Sequence, residues 1–219
     1  MLRLSSRRLV NFSATAVILL ISYLLISDFY LLDTDAIGGD ASQNVRSALN
    51  LAKHGVYSEF QISEVVAPGY RREPFPNFLL AIYLRLAEMF QAGFLSQVKN
   101  PFSDSFLLFL KTINLVWSAA LFLGIWLCSR LVYAPMYAAN FLAAAQILVV
   151  NQFFVVKQIN RMNTELIASA VLVWLSVALL QATRQKSWRW ILPAGAVFGL
   201  MALTKSSAAY VALLILPVI

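Results

Sequence analysis

The sequence predicts an all-α, multi-spanning membrane protein. Three observations carry this expectation. Of the 219 residues 60% are hydrophobic and only 12% charged, whereas soluble domains run at about 45–50% apolar and about 25% charged. The mean hydropathy is +0.74. The apolar residues fall in long runs separated by short polar turns, the pattern of helices that cross a bilayer.

The net charge of +7 does not point to nucleic acid. The basic residues stand at the ends of apolar runs, where they orient helices across a membrane. The single cysteine, Cys128, excludes an intrachain disulfide and a paired-cysteine metal site. It falls at the end of an apolar run, as a small packed residue would.

The first element follows Arg3, Arg7 and Arg8. Residues 9–32 are apolar apart from Asn11, Asp28 and small hydroxyls, long enough to span about 30 Å of hydrocarbon at 1.5 Å per residue. The run exceeds a signal-peptide core and lacks a small-x-small cleavage site. It is expected to be an uncleaved first span with its amino end in the cytoplasm.

The polar stretch from Asp33 to Pro76 holds six of the ten acidic residues. Gly38-Gly39 breaks the chain, and Asp40 is placed to cap the next helix. From Ala41 to Lys53, Val45, Leu49 and Ala52 share one side, with Arg46, Asn50 and Lys53 on the flanks. This predicts a short amphipathic helix lying on the membrane surface and ended by Gly55. Pro68-Gly69 marks a turn, and Arg71-Arg72-Glu73-Pro74 is a charged knot. Residues 77–94 are apolar but carry Arg85 and Glu88, which are costly in lipid. An interfacial helix is expected there rather than a span.

Residues 105–128 make a clear span, with Lys111 snorkelling from near one end. Residues 136–156 make another. Gly124 and Ala143-Ala144-Ala145 allow close helix approach. A second polar island, residues 157–165, precedes an apolar helix over 166–180. Arg184, Lys186 and Arg189 form the clearest positive cluster. Residues 191–203 are short and apolar, interrupted by Thr204-Lys205-Ser206-Ser207. The sequence ends within a hydrophobic run, so it is expected to be part of a longer membrane protein. Three regions result: 1–32, the cytoplasmic start and first span; 33–104, an outward loop with interfacial helices; and 105–219, a multi-helix membrane module.

With the amino end inside, the Arg184 cluster falls inside and no acidic residue lies in a cytoplasmic loop, in keeping with the positive-inside trend. Asp40, Arg71, Arg72, Glu73, Arg161, Glu165 and Lys205 then reach the same side. Carboxylates beside cations suit either solubilising charge or a site where cations hold a phosphate and a carboxylate accepts a proton. There is no phosphate-binding glycine loop, no HExxH and no clustered metal ligands. From the residues alone, an enzyme and a transporter stand nearly even.

A family pattern shifts that balance. Asp40 is followed by Ala48, by Leu51-Ala52-Lys53-His54-Gly55 and by Arg72-Glu73-Pro74 leading into an apolar run. An acidic residue, Glu165, opens a membrane helix after Asn160. Gly195 to Lys205 reads GAVFGLMALTK. The chain resembles the GT-C class of polyprenyl-phosphate-sugar-dependent glycosyltransferases, in the branch of protein O-mannosyltransferases and aminoarabinose transferases. The fold expected is a GT-C-like amino-terminal transmembrane module with amphipathic interfacial helices. The chain departs from the pattern at Ala41, where a Glu is usual, and at Arg72-Glu73-Pro74, which is not the Glu-Lys-Pro form.

The resemblance implies transfer of a sugar from a polyprenyl-phosphate donor to an acceptor hydroxyl on the outer side of a cell membrane, with inversion. It implies Asp40 and Glu165 as catalytic residues, and Arg71, Arg72, Glu73, Arg161 and Lys205 as substrate-binding ones. Membrane lipid, the lipid-linked sugar and a glycan, lipid or protein acceptor are the expected partners, with no cofactor beyond the donor. The alternatives are a lipid or lipid-sugar transporter or flippase and a noncatalytic membrane scaffold fragment. The topology makes a direct prediction. In a Cys128→Ser background, a cysteine at Ser103 should react with an impermeant thiol reagent from outside; exclusive labelling from the cytoplasm would reject an interfacial 77–94.

Overall fold

The computed structural model describes residues 6–35, 37–60, 73–133, 135–186 and 188–205, with side chains from Asn11 onward. Apart from an isolated bridge residue at Ser58, the elements among these residues are helices: α1 Ser6–Tyr30, α2 Gly39–His54, α3 Pro74–Phe90, α4 Phe94–Gln97, α5 Asp104–Lys111, α6 Ile113–Val132, α7 Met136–Val150, α8 Val156–Gln158, α9 Glu165–Gln185 and α10 Trp188–Thr204. A π-helical turn, Asn151–Val155, joins α7 to α8. Ser63, Glu64, Pro68, Gly69, Arg71 and Arg72 lie outside the described residues.

Four stretches among the described residues are long and apolar enough to cross a membrane: Asn11–Tyr30, Asp104–Val132, Met136–Gln158 and Glu165–Gln185. The protein is thus an integral, multi-pass membrane protein. The expected span over 105–128 is α5 and α6 together. α6 packs on both α7 and α9, and α9 packs on α10. A Cβ at Gly124 would come within 2.7 Å of Val173 Cγ1. Only glycine lets α6 and α9 approach so closely. Ala143 is wholly buried on α7.

α2 is amphipathic in the expected phase, and Gly55 ends it in the left-handed region at φ 70°. Its Ala41, Val45, Ala48, Leu49 and Ala52 pack with Leu80, Ala81 and Leu84 of α3 and with Phe106 and Leu110 of α5. Protein, rather than a membrane surface, therefore covers this stripe. Asn50, placed by periodicity on an outer flank, is wholly buried. Its Nδ2 donates to the Ser58 and Phe60 carbonyls at 2.8 and 3.0 Å, a local turn that helical periodicity does not reveal.

α3 opens on prolines, which suit a first helical turn because its N–H groups lack intrahelical partners. Asn77, Leu80, Ala81 and Leu84 give its buried face, while Phe78, Leu86, Met89 and Phe90 are exposed. Glu88 accepts from the N–H groups of Leu95 and Gly93 at 2.6 and 2.9 Å. Those two bonds hold its carboxyl below the ordinary glutamate range. Beyond α3, Phe94 packs edge-on to Phe109 of α5. At the start of α3, Phe75 packs with the α9 and α10 cluster that includes Ile167 and Met201. Both ends of α3 thus meet the same end of the bundle, so α3 lies across that end.

Lys111 departs from expectation. It does not snorkel but is wholly buried. Its Nζ lies 2.6 Å from Asp33 Oδ1 and donates to the Asp33 and Asp35 carbonyls at 2.9 and 3.0 Å. Three acceptors match the three ammonium donors, a saturation that makes burial cheaper than exposure to lipid. The same segment is held from its other side. Asp33 N donates to Asn160 Oδ1 at 2.9 Å, and Asn160 Nδ2 donates to the Leu31 carbonyl at 2.6 Å. Asp28, also wholly buried, faces the π-turn. With the Asn151 amide oriented to donate, its nitrogen lies 2.9 Å from Asp28 Oδ2. Lys111→Met should leave Asp33 and two carbonyls without their donor, at a cost of about 1–3 kcal/mol. Thermal unfolding in detergent should show a lowered midpoint, lower than for Asp33→Asn; an unchanged midpoint would deny the pair a structural role.

Candidate functional site

Four separate helix ends meet in one cleft. Asp40, Asn44, Glu73, Asn163, Thr164, Glu165 and Lys205 line a volume of about 180 Å³. Asp40 is not the N-cap expected from sequence. Gly38 takes that place in extended backbone, and Gly39 follows at φ 51°, a left-handed conformation that favours glycine. Helix α2 therefore begins one residue before Asp40. Asp40 stands exposed in its first turn, where the helix dipole favours a carboxylate.

Glu73 is the N-cap of α3. Its carbonyl accepts from Tyr57 Oη at 3.3 Å and from Asn77 Nδ2 at 3.4 Å, which fixes the backbone that carries its carboxylate. Glu165 is the first residue of α9. Lys205 closes α10, its N–H donating to the Met201 carbonyl at 2.9 Å.

Glu165 and Lys205 form an ion pair across the cleft, 2.8 Å from Oε1 to Nζ, both about one-third exposed. The other carboxylate oxygen, Glu165 Oε2, is buried and has no hydrogen-bond partner among the described residues. Among the described residues, the lining thus sets three carboxylates against one ammonium, which one carboxylate already engages. That arrangement can accept a proton and can present an ammonium to an anion when the pair loosens.

Of the other candidates, Arg161 is exposed and does not line the cleft. Its carbonyl accepts from Asn114 Nδ2 at 2.9 Å, which fixes the loop, and its charge acts on the Glu165 carboxylate from outside the cleft. Arg71 and Arg72 lie outside the described residues. Sequence reasoning missed Asn44, Asn163 and Thr164. Asn44 sits four residues after Asp40, hence on the same helical face, and its Nδ2 donates to the Met162 carbonyl at 2.9 Å. Asn163 and Thr164 belong to the polar island noted before α9; their adjacency to Glu165 was the available signal. Among the described residues, no group of three or more His, Cys, Asp and Glu side chains is placed to hold a metal ion.

The model of the family described as dolichyl-phosphate-mannose-protein mannosyltransferase matches residues 107–219. The chain belongs to this mannosyltransferase family. The family is one of polyprenyl-phosphate-sugar glycosyltransferases, consistent with the GT-C superfamily resemblance. The mannosyltransferase match includes Arg161, Glu165 and Lys205, whereas Asp40, Arg71, Arg72 and Glu73 precede it. No curated protein and no solved structure matches the chain.

Proposed function

We propose that this protein, alone or as part of a longer chain, transfers a sugar from a polyprenyl-phosphate donor to an acceptor hydroxyl at the outer face of a cell membrane. One observation carries the reading: a single cleft gathers Asp40, Glu73, Glu165 and Lys205 from four helix ends in a chain of this glycosyltransferase family. Paired charges facing a cavity would suit a transporter as well; the family match is what favours transfer.

The chemistry follows from the groups. The donor's lipid tail stays in the bilayer and its phosphate enters the cleft. Lys205 has three N–H donors and gives one to Glu165, leaving two for phosphate oxygens. Glu165 holds the ammonium in place until the donor arrives. Asp40 takes the proton of the acceptor hydroxyl as that oxygen bonds to C1 of the sugar. The bond from C1 to the phosphate oxygen breaks, and polyprenyl phosphate leaves with the electron pair. Attack from the face opposite the phosphate inverts C1. The leaving group carries the charge without protonation, so one base suffices where glycosidases use a carboxylate pair. Arg71, Arg72 and Arg161 are the further cations available to the phosphate.

Asp40→Asn keeps the shape of the side chain and removes the base. Turnover of purified polyprenyl-phosphate sugar by the full-length protein should fall by roughly 10²–10⁴-fold, the scale of acid–base assistance, with folding and donor binding retained. Near-normal turnover in the folded variant would move the base to Glu165 or Glu73. Lys205→Met should weaken binding of the same donor more than it lowers expression. Unchanged donor affinity would confine Lys205 to its ion pair with Glu165.

A further inference from the structure

A second pocket at this end of the bundle has a different chemistry. Arg46, Leu49, Asn50, Phe60, Lys99 and Phe102 line a volume of about 350 Å³ between α2 and the loop before α5. No acidic residue is among its described lining. The Arg46 guanidinium carbon lies 5.2 Å from the centroid of the Phe102 ring. A guanidinium carries five N–H donors, so this ring contact leaves N–H groups available. Neither the Arg46 nor the Lys99 side chain has a hydrogen bond or ion pair among the described residues.

Two further features give the pocket a fixed shape and a second polarity. Lys53 Nζ donates to the Val98 carbonyl at 2.9 Å, tying α2 to the opposite wall. Asn50 spends its Nδ2 on the Ser58 and Phe60 carbonyls. Its Oδ1 is buried without a partner, and a buried acceptor left unmade costs about 1–3 kcal/mol. The pocket therefore offers cationic donors for an anion, apolar surface on Leu49, Phe60 and Phe102, and in its wall an unpartnered Asn50 acceptor that a small side-chain shift would turn to a hydroxyl.

We infer that this pocket binds an anionic group next to a hydroxyl, a phosphate or carboxylate on a sugar-like framework, carried by the acceptor. The acceptor assignment rests on the transferase reading above; the anion site does not. Along α2 the step from Asp40 to Arg46 and Asn50 is about 9–15 Å at 1.5 Å per residue. An acceptor anchored here by its charge reaches Asp40 with a hydroxyl about two or three sugar units away. Specificity is then set by an anion remote from the reacting oxygen.

The test uses the full-length protein in phosphatidylcholine nanodiscs, without donor, titrated with glucose 6-phosphate and with glucose. Saturable binding of the phosphosugar over the neutral sugar is expected. Arg46→Gln and Lys99→Gln should each weaken it by about tenfold, the scale of one charge-assisted hydrogen bond. Lys157→Gln, an exposed cation outside this pocket, should leave it unchanged, and so should Asp40→Asn. Thermal unfolding checks that each variant is folded. Equal binding of glucose, no saturable binding, or an equal loss in Lys157→Gln would overturn the inference. Adding phosphatidate to the nanodiscs separates the sources. Competition with glucose 6-phosphate assigns the site to a lipid headgroup, and its absence assigns it to a soluble acceptor. Saturable, Arg46-dependent binding in a protein that transfers no sugar would retain the anion site and remove only its acceptor role.

Discussion

The buried ammonium of Lys111 is the constraint from which the site end of the bundle is built. A charge withdrawn from water must be matched by acceptors. Here all three acceptors come from Asp33 and Asp35. The chain leaving α1 is therefore pinned to the end of α5. Asn160 holds the same segment from the other side, so the link before α9 is registered against the link before α2. Asp40 and Glu165 are carried by those two links. Their meeting in one cleft depends on contacts that involve neither side chain.

The cleft itself is assembled from helix termini. Asp40 lies in the first turn of α2, Glu73 caps α3, Glu165 begins α9, and Lys205 follows α10. Helix amino ends stabilise carboxylates, so three acidic side chains gather with less mutual repulsion than they would meet on a flat surface. The amides of Asn44, Asn77 and Asn114 bind backbone carbonyls around this region. They fix loops without adding charge, which leaves the local field to the carboxylates, Lys205 and Arg161.

Much of the fold was legible because apolar run length and hydrophobic period report directly on membrane helices. The four spans, the amphipathic phase of α2 and its glycine stop follow from those signals. Part of the cleft was legible too, since Asp40, Glu165 and Lys205 interrupt or border apolar runs where charge is costly. What escaped were pairings between distant residues. Lys111 was assigned to snorkelling because its partner, Asp33, lies 78 positions away. Asn50 looked like a solvated flank because the turn it satisfies is closed by carbonyls, which every residue carries. Asp40 was assigned to the cap position because composition does not distinguish Gly38 from its neighbour as the point where the backbone turns helical.

The π-helical turn at Asn151–Val155 gives the far wall of the site its helical phase. A π-turn accommodates one more residue than the α-helical ladder. Here it turns Asn151 toward Asp28 while Val155 and Ile159 remain wholly buried. Restoring α-helical winding here with no residue removed would rotate everything beyond it by about 100°. Asn160 would leave Asp33, and Glu165 would swing off the cleft, although every residue named in the site was still present. The residue count of this turn and its winding are thus tied together.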